Sequence, residues 1–146
     1  MTSTQAETGR IVVGVDGSPS SAAALDWAAH QAELTGSHLE LVGAWEWPTT
    51  YGAPIAFPPD YDPAADVRRV LEEAVTKMRV GHPGVDARLT VLEGHPAPVL
   101  VSASRGATLL VVGCRGHGEF AGMLLGSVSE HCVTNAHCPV LVLRGA

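Results

Sequence analysis

Lysine is nearly missing from this chain: Lys77 stands alone among 146 residues. With 9 Lys and Arg against 15 Asp and Glu, the formal net charge is -6, and no dense basic run occurs. Nucleic acid and anionic membrane surfaces require concentrated positive charge, so neither is expected as a partner. The same scarcity leaves no phosphate-clamping lysine to look for. Nor does any uninterrupted apolar stretch approach the roughly 20 residues that a bilayer-spanning helix needs. Met1 to Gly9 lacks the basic-then-apolar order of a secretory signal, and a cytoplasmic location is the expectation. Three cysteines, Cys114, Cys132 and Cys138, are an odd number that does not suit a secreted disulfide framework, and free thiols are expected.

What the chain does contain is a repeated alternation of short apolar runs with helical patterns, on a length suited to one domain. Residues 1–9 read as a polar tail and 10–146 as the folded unit. Arg10 to Val15 is an apolar run ending at Asp16-Gly17-Ser18-Pro19, which reads as strand, turn and helix start. Ser18 is placed to cap the first free amides and Pro19 to occupy the first helical position. Ala22, Leu25, Ala29 and Ala32 follow at helical spacing, with Gly36 as the stop. A strand over about 39–44 precedes Trp45 to Pro63, a proline- and aromatic-bearing excursion with no clean period that can fold over a ligand. A helix over 64–79, a strand over 85–92, a helix from Pro96 through Ala103 and a strand over 109–112 come next. Ser127 with Glu130 has capping-box spacing for a last helix, Pro139 ends it, and Val140 to Leu143 forms a final strand. The order β-α-β-α-β-α-β-α-β, with near-continuous apolar strands, predicts an α/β fold: a five-stranded, mostly parallel, doubly wound sheet covered on both faces.

A sheet of this kind can reverse its winding between the first and fourth strands and open a crevice at their carboxyl ends. Asp16 and Gly113 would then face one pocket. The segment beyond the fourth strand reads G-x2-G-x9-G-S at Gly113, Gly116, Gly126 and Ser127. Closely approaching amides and a helix start there can hold phosphate oxygens, helped by the hydroxyls of Ser127 and Ser129. Each glycine alone can equally shape a turn, and Ser127 can spend its oxygen on its own helix. A valine at 113 is expected to intrude on the ligand. Asp16 can accept hydrogen bonds from a ribose, hold a metal-bound water or serve as a turn cap. Val15 and Ala44 can wall an adenine pocket or simply fill core volume. Arg115 and His117 can reach phosphate from within the glycine segment or face solvent; His117, besides the acidic Glu119, is its proton-transfer candidate.

These residues resemble the universal stress protein family, in its short, nucleotide-binding, single-domain form. The likeness runs through nearly all of 10–143: the IVVGVDGSPSS segment, the VVGCRGHGEFAGMLLGSVSEHC segment and the terminal CPVLVL strand. It implies a Rossmann-like fold of the adenine nucleotide alpha hydrolase type. It also implies binding of ATP or another adenine nucleotide, with Mg2+ entering through the bound nucleotide. In that family the position matching Asp16 meets the nucleotide near ribose or base, backbone near Ala44 recognises adenine, and the Gly113, Gly116, Gly126 and Ser127 set surrounds the phosphates. Val128 and Ser129 lie where members approach the phosphate and ribose. Homodimerisation through the Val140 to Leu143 strand is a further implication, and an apolar sheet edge supplies a physical motive for it.

Other readings remain beside a stress-response or regulatory homodimer. A weak ATPase could use the same cradle, although no serine-base-carboxylate set or full metal-ligand motif is present; a dimeric module that has lost its nucleotide could keep the glycines. His131, Cys132, His137 and Cys138 carry zinc-type ligands, but their order across a helix end does not match a structural zinc pattern. Trp27, Trp45 and Trp47 read as core or loop contacts.

Overall fold

In β1 (Arg10–Gly14), Ile11 and Val13 pack into one core cluster and Val12 into another, the period of two that an extended chain imposes. All three are buried, so the strand lies between two apolar layers rather than against one. The computed structural model describes residues 9–47, 49–50, 53–54, 56–115 and 125–144. Five strands form one sheet in the order β5-β2-β1-β6-β7, with β2 at His38–Trp45, β5 at Ala87–Glu93, β6 at Leu109–Gly113 and β7 at Val140–Leu143. Every neighbouring pair is parallel. The chain winds outward on one side through β2 and β5, then returns to place β6 against the free side of β1.

Four helices cover the faces. Leu25, Ala28 and Ala29 of α1 (Pro19–Thr35) join Leu71, Val75 and Met78 of α2 (Pro63–Gly81) over one face. Val99 and Leu100 of α3 (Pro96–Ala103) join Cys132 of α4 (Ser127–Asn135) over the other. Burying such side chains is worth about 1.5–3 kcal/mol each for Val or Leu, which explains why strands covered on both faces read as unbroken apolar runs.

Local signals for α1 act as expected. Ser18 is extended, at φ -74° and ψ 156°, and its hydroxyl accepts the Ser21 N–H at 3.2 Å, with Pro19 first in the helix. Gly36 closes it at φ 71°, donating to the Ala32 carbonyl, in the left-handed conformation that glycine adopts without steric cost. Asp62 caps α2 through the amides of Ala64 and Ala65, so that helix begins at Pro63.

Two expectations for α4 are corrected. The extended N-cap residue is Gly126 and no side chain caps the helix. Ser127 is already the first helical residue, whereas a capping box needs the serine outside the helix with its backbone extended. The far end also comes early: α4 stops at Asn135, with Ala136 extended at φ -60° and ψ 154°. Pro139 restricts only its immediate predecessor, so it is not the stop. The His137 N–H instead donates to the buried Ser104 hydroxyl at 2.9 Å, drawing the chain off the helix axis towards α3.

Between β2 and α2, Trp45 meets Trp47 edge-on at 5.7 Å, and Phe57 stacks on Tyr61 at 4.4 Å, within reach of Trp47. A two-residue antiparallel pair, β3 (Thr49–Thr50) and β4 (Ala53–Pro54), lies in the same connection. The aromatic residues there contact one another, as loop-filling side chains do.

Candidate functional site

β1 and β6 run side by side, with Ile11 opposite Leu109 and Val13 opposite Val111, yet their following helices cover opposite faces. Their carboxyl ends therefore part, and the crevice expected at a winding reversal opens there. Val15 extends the β1 ladder by one residue, donating to the Val42 carbonyl at 3.1 Å. The chain then turns at Asp16, whose carboxylate accepts the Ser18 N–H at 2.8 Å while its own N–H donates to the Ser21 hydroxyl at 3.3 Å. Asp16 is thus a turn cap, and it also lines the crevice.

The crevice holds a cavity of about 200 Å³. Val15, Asp16, Ala44, Gly113, Arg115, Gly126, Val128 and Ser129 all line it, drawn together from β1, β2, β6 and α4 across 114 positions of sequence. Ser127 is exposed and is not among the lining residues. Gly116 and His117, together with Glu119, lie outside the described residues. Lining side chains that the sequence did not single out come from α2 (Val67, Val70) and α3 (Pro96, Val99, Leu100). Val67 heads the apolar stripe of α2, but only the lower part of that stripe, from Leu71 to Met78, is buried. The helix is legible in the sequence; that Val67 and Val70 overhang a cavity is not.

Gly113 lines the cavity and also has a packing role that the sequence did not announce. A β-carbon there would stand 2.1 Å from the Ser20 Oγ and 2.7 Å from the Ser20 carbonyl carbon. The missing side chain therefore makes room for the start of α1 against the end of β6. The Arg115 N–H donates to the same Ser20 hydroxyl at 3.4 Å.

Among the described lining residues, Arg115 is the one permanent cation and Asp16 the one carboxylate, in walls that are otherwise mostly aliphatic. The first turn of α4 faces this space without a side-chain cap. Uncapped amides at a helix start carry partial positive charge, equivalent to roughly half an elementary charge, and suit an anion. At α1 the corresponding start is closed by Ser18. The Ser129 hydroxyl lies 3.1 Å from the Cys114 carbonyl and 3.0 Å from that of Gly126, so its single proton is committed within the protein.

No three His, Cys, Asp or Glu side chains come together as metal ligands among the described residues. Cys132 is fully buried in the second core, where desolvation pushes its thiol up to about 11. Cys138 is raised as well, chiefly by burial. All three cysteines are free thiols, and those two are poor sources of thiolate. No helix among the described residues is long and apolar enough to cross a membrane.

Residues 7–144 match the family model described as the universal stress protein family. Over 143 residues the chain is 36% identical to universal stress protein Rv2623 of Mycobacterium tuberculosis, covering 92% of this chain and 47% of that one; it spans about half the length of the curated relatives it matches. Among solved structures, a universal stress protein in complex with cAMP superposes with a TM-score of 0.72 at 29% identity, covering 95% of this chain and 98% of that one. An Arabidopsis thaliana family protein with AMP bound shares the fold, with a TM-score of 0.65 at 22% identity over 94% of this chain and 92% of the other.

Proposed function

The chain belongs to the universal stress protein family, and from that premise we propose that it is a regulatory, stress-response protein that binds an adenine nucleotide, ATP among the candidates, in the crevice between β1 and β6. The observation that carries this reading is the meeting of two strand ends and an uncapped helix start around one cavity. In this reading Val15 and Ala44 flank the base and the Asp16 carboxylate meets the ribose. Ser127, Val128 and Ser129 present the first-turn amides of α4 to phosphate, with Gly126 leading into them while its own N–H is held by the Cys114 carbonyl, and Arg115 adds a cation; Gly113, Gly116 and His117 complete the expected phosphate segment. The structure of a 29%-identical relative in complex with cAMP supports the ligand class. Magnesium would enter with the phosphates of a nucleotide, since no acidic cluster among the described residues would hold it alone. The active form is a homodimer joined along β7.

Calorimetry on nucleotide-free protein, with cAMP, AMP and ATP in turn and with or without Mg2+, tests the reading. Saturable binding of at least one of them, at one site per chain, is expected. Heats no larger than dilution for all three would overturn it.

A further inference from the structure

We propose that Ser129 is a positioning residue that pins together the two ends of the segment joining β6 to α4, and thereby sets where the first-turn amides of α4 stand against the crevice. The proposal rests on the nucleotide reading above for its functional consequence and on hydrogen bonding for its geometry. Cys114 is the fixed point. Its N–H donates to the Leu143 carbonyl at 2.9 Å, tying it into the sheet beside β7. Its carbonyl receives the Gly126 N–H and is also within 3.1 Å of the Ser129 Oγ. One backbone residue thus links the edge of the sheet to the start of α4, across a sequence gap of 15 residues.

A serine bonding three residues back along its own helix, as Ser129 does to Gly126, is an ordinary local habit of the residue. The bond to Cys114 is not local, and it is buried, with Ser129 only 2% exposed. On the opposite side the Ser20 hydroxyl receives the Arg115 N–H. The chain leaving β6 is therefore held by α4 through Ser129 and by α1 through Ser20, at two consecutive residues. Anion binding by backbone amides depends on their direction, because a hydrogen bond weakens steeply as it bends. A helix start free to swing about its connection would lose that alignment. The Ser129 proton, already directed at carbonyl oxygens, serves the ligand by aiming amides rather than by touching phosphate.

The test pairs Ser129→Ala with amide exchange measured by NMR and with calorimetry using cAMP, AMP and ATP in parallel. We expect the variant to keep its fold, because the Cys114 carbonyl retains the Gly126 N–H. Exchange of the Gly126 amide should rise at least tenfold, with affinity for nucleotide falling by a similar factor. Wild-type exchange at Gly126 together with wild-type affinity would overturn the proposal. So would weakened affinity with unchanged exchange, since the hydroxyl would then be a direct ligand. Should the variant fail to fold, the wild-type protein decides: an amide at Gly126 exchanging as fast as an unstructured one would sink the pinned geometry, and strong protection supports it. If the wild type binds none of the three nucleotides, the nucleotide reading fails, while the exchange comparison still judges the pin.

Discussion

At Gly113 the decisive neighbour is a helix. The sequence pattern suggested a glycine that lets the backbone approach a ligand; its absent β-carbon also points at Ser20, closer than real β-carbons stand to such atoms. Gly113→Val should therefore act first on packing between β6 and α1. Overpacking of this kind costs about 1–3 kcal/mol, and the expected outcome is a lower midpoint in urea unfolding with nucleotide affinity falling as a consequence. A variant as stable as the wild type would contradict this placement. Asp16 combines a turn bond with a place at the cavity. Its carboxylate organises the turn through the Ser18 N–H, and it remains on the cavity wall.

Helices α1 and α2 meet through a cluster that no periodicity announces. His82, at the end of α2, places Nδ1 against Glu33 and Nε2 3.1 Å from Asp26, both on α1, with the His30 ring 6.5 Å away. The hydrogen bond that the protonated His82 ring donates to the Glu33 carboxylate is the main cause of a raised His82 pKa; partial burial works against it, and Asp26 adds a smaller upward push. The folded chain accordingly holds this proton more tightly than the unfolded chain, whose histidine titrates near the ordinary 6.5. The contribution to stability is complete below about pH 6.5 and is lost as pH rises through the elevated folded value. Thermal melting from pH 5.5 to 8.5 should show a decline in the wild type that His82→Gln flattens. Parallel curves for the two proteins would remove His82 as the cause. Since Asp26 is largely exposed, screening by salt should shrink the difference.

For the whole molecule, assembly turns on the sheet edge. Among the described residues β7 pairs with β6 alone, and all four of its residues are partly exposed. Leu110 donates to the Pro139 carbonyl and Cys114 to that of Leu143, so by alternation Val140 and Val142 turn their own N–H and C=O groups outward. An outward row of this kind invites a second strand, and the homodimer proposed above would use it. Val142→Pro removes one outward donor while leaving the bonds to β6 in place, a position where an edge strand tolerates proline. Native mass spectrometry should find the variant monomeric and the wild type dimeric. A variant that remains dimeric would place the contact elsewhere.

Element identity was written locally in this chain. Apolar runs, Ser18 with Pro19, and Gly36 each act within a few residues of themselves, so the sheet strands, the start of α1 and the winding order were legible from sequence, as was the meeting of Asp16 with Gly113. What lay beyond it was decided by neighbours distant in the chain. Whether Ser127 or Gly126 caps α4 depends on the backbone entering the helix, and where α4 ends depends on a hydroxyl at Ser104. Which wall Gly113 clears depends on how closely α1 settles on β6. Residue spacing carries periodicity and turn chemistry, whereas contacts across the sheet exist only once the layers have packed.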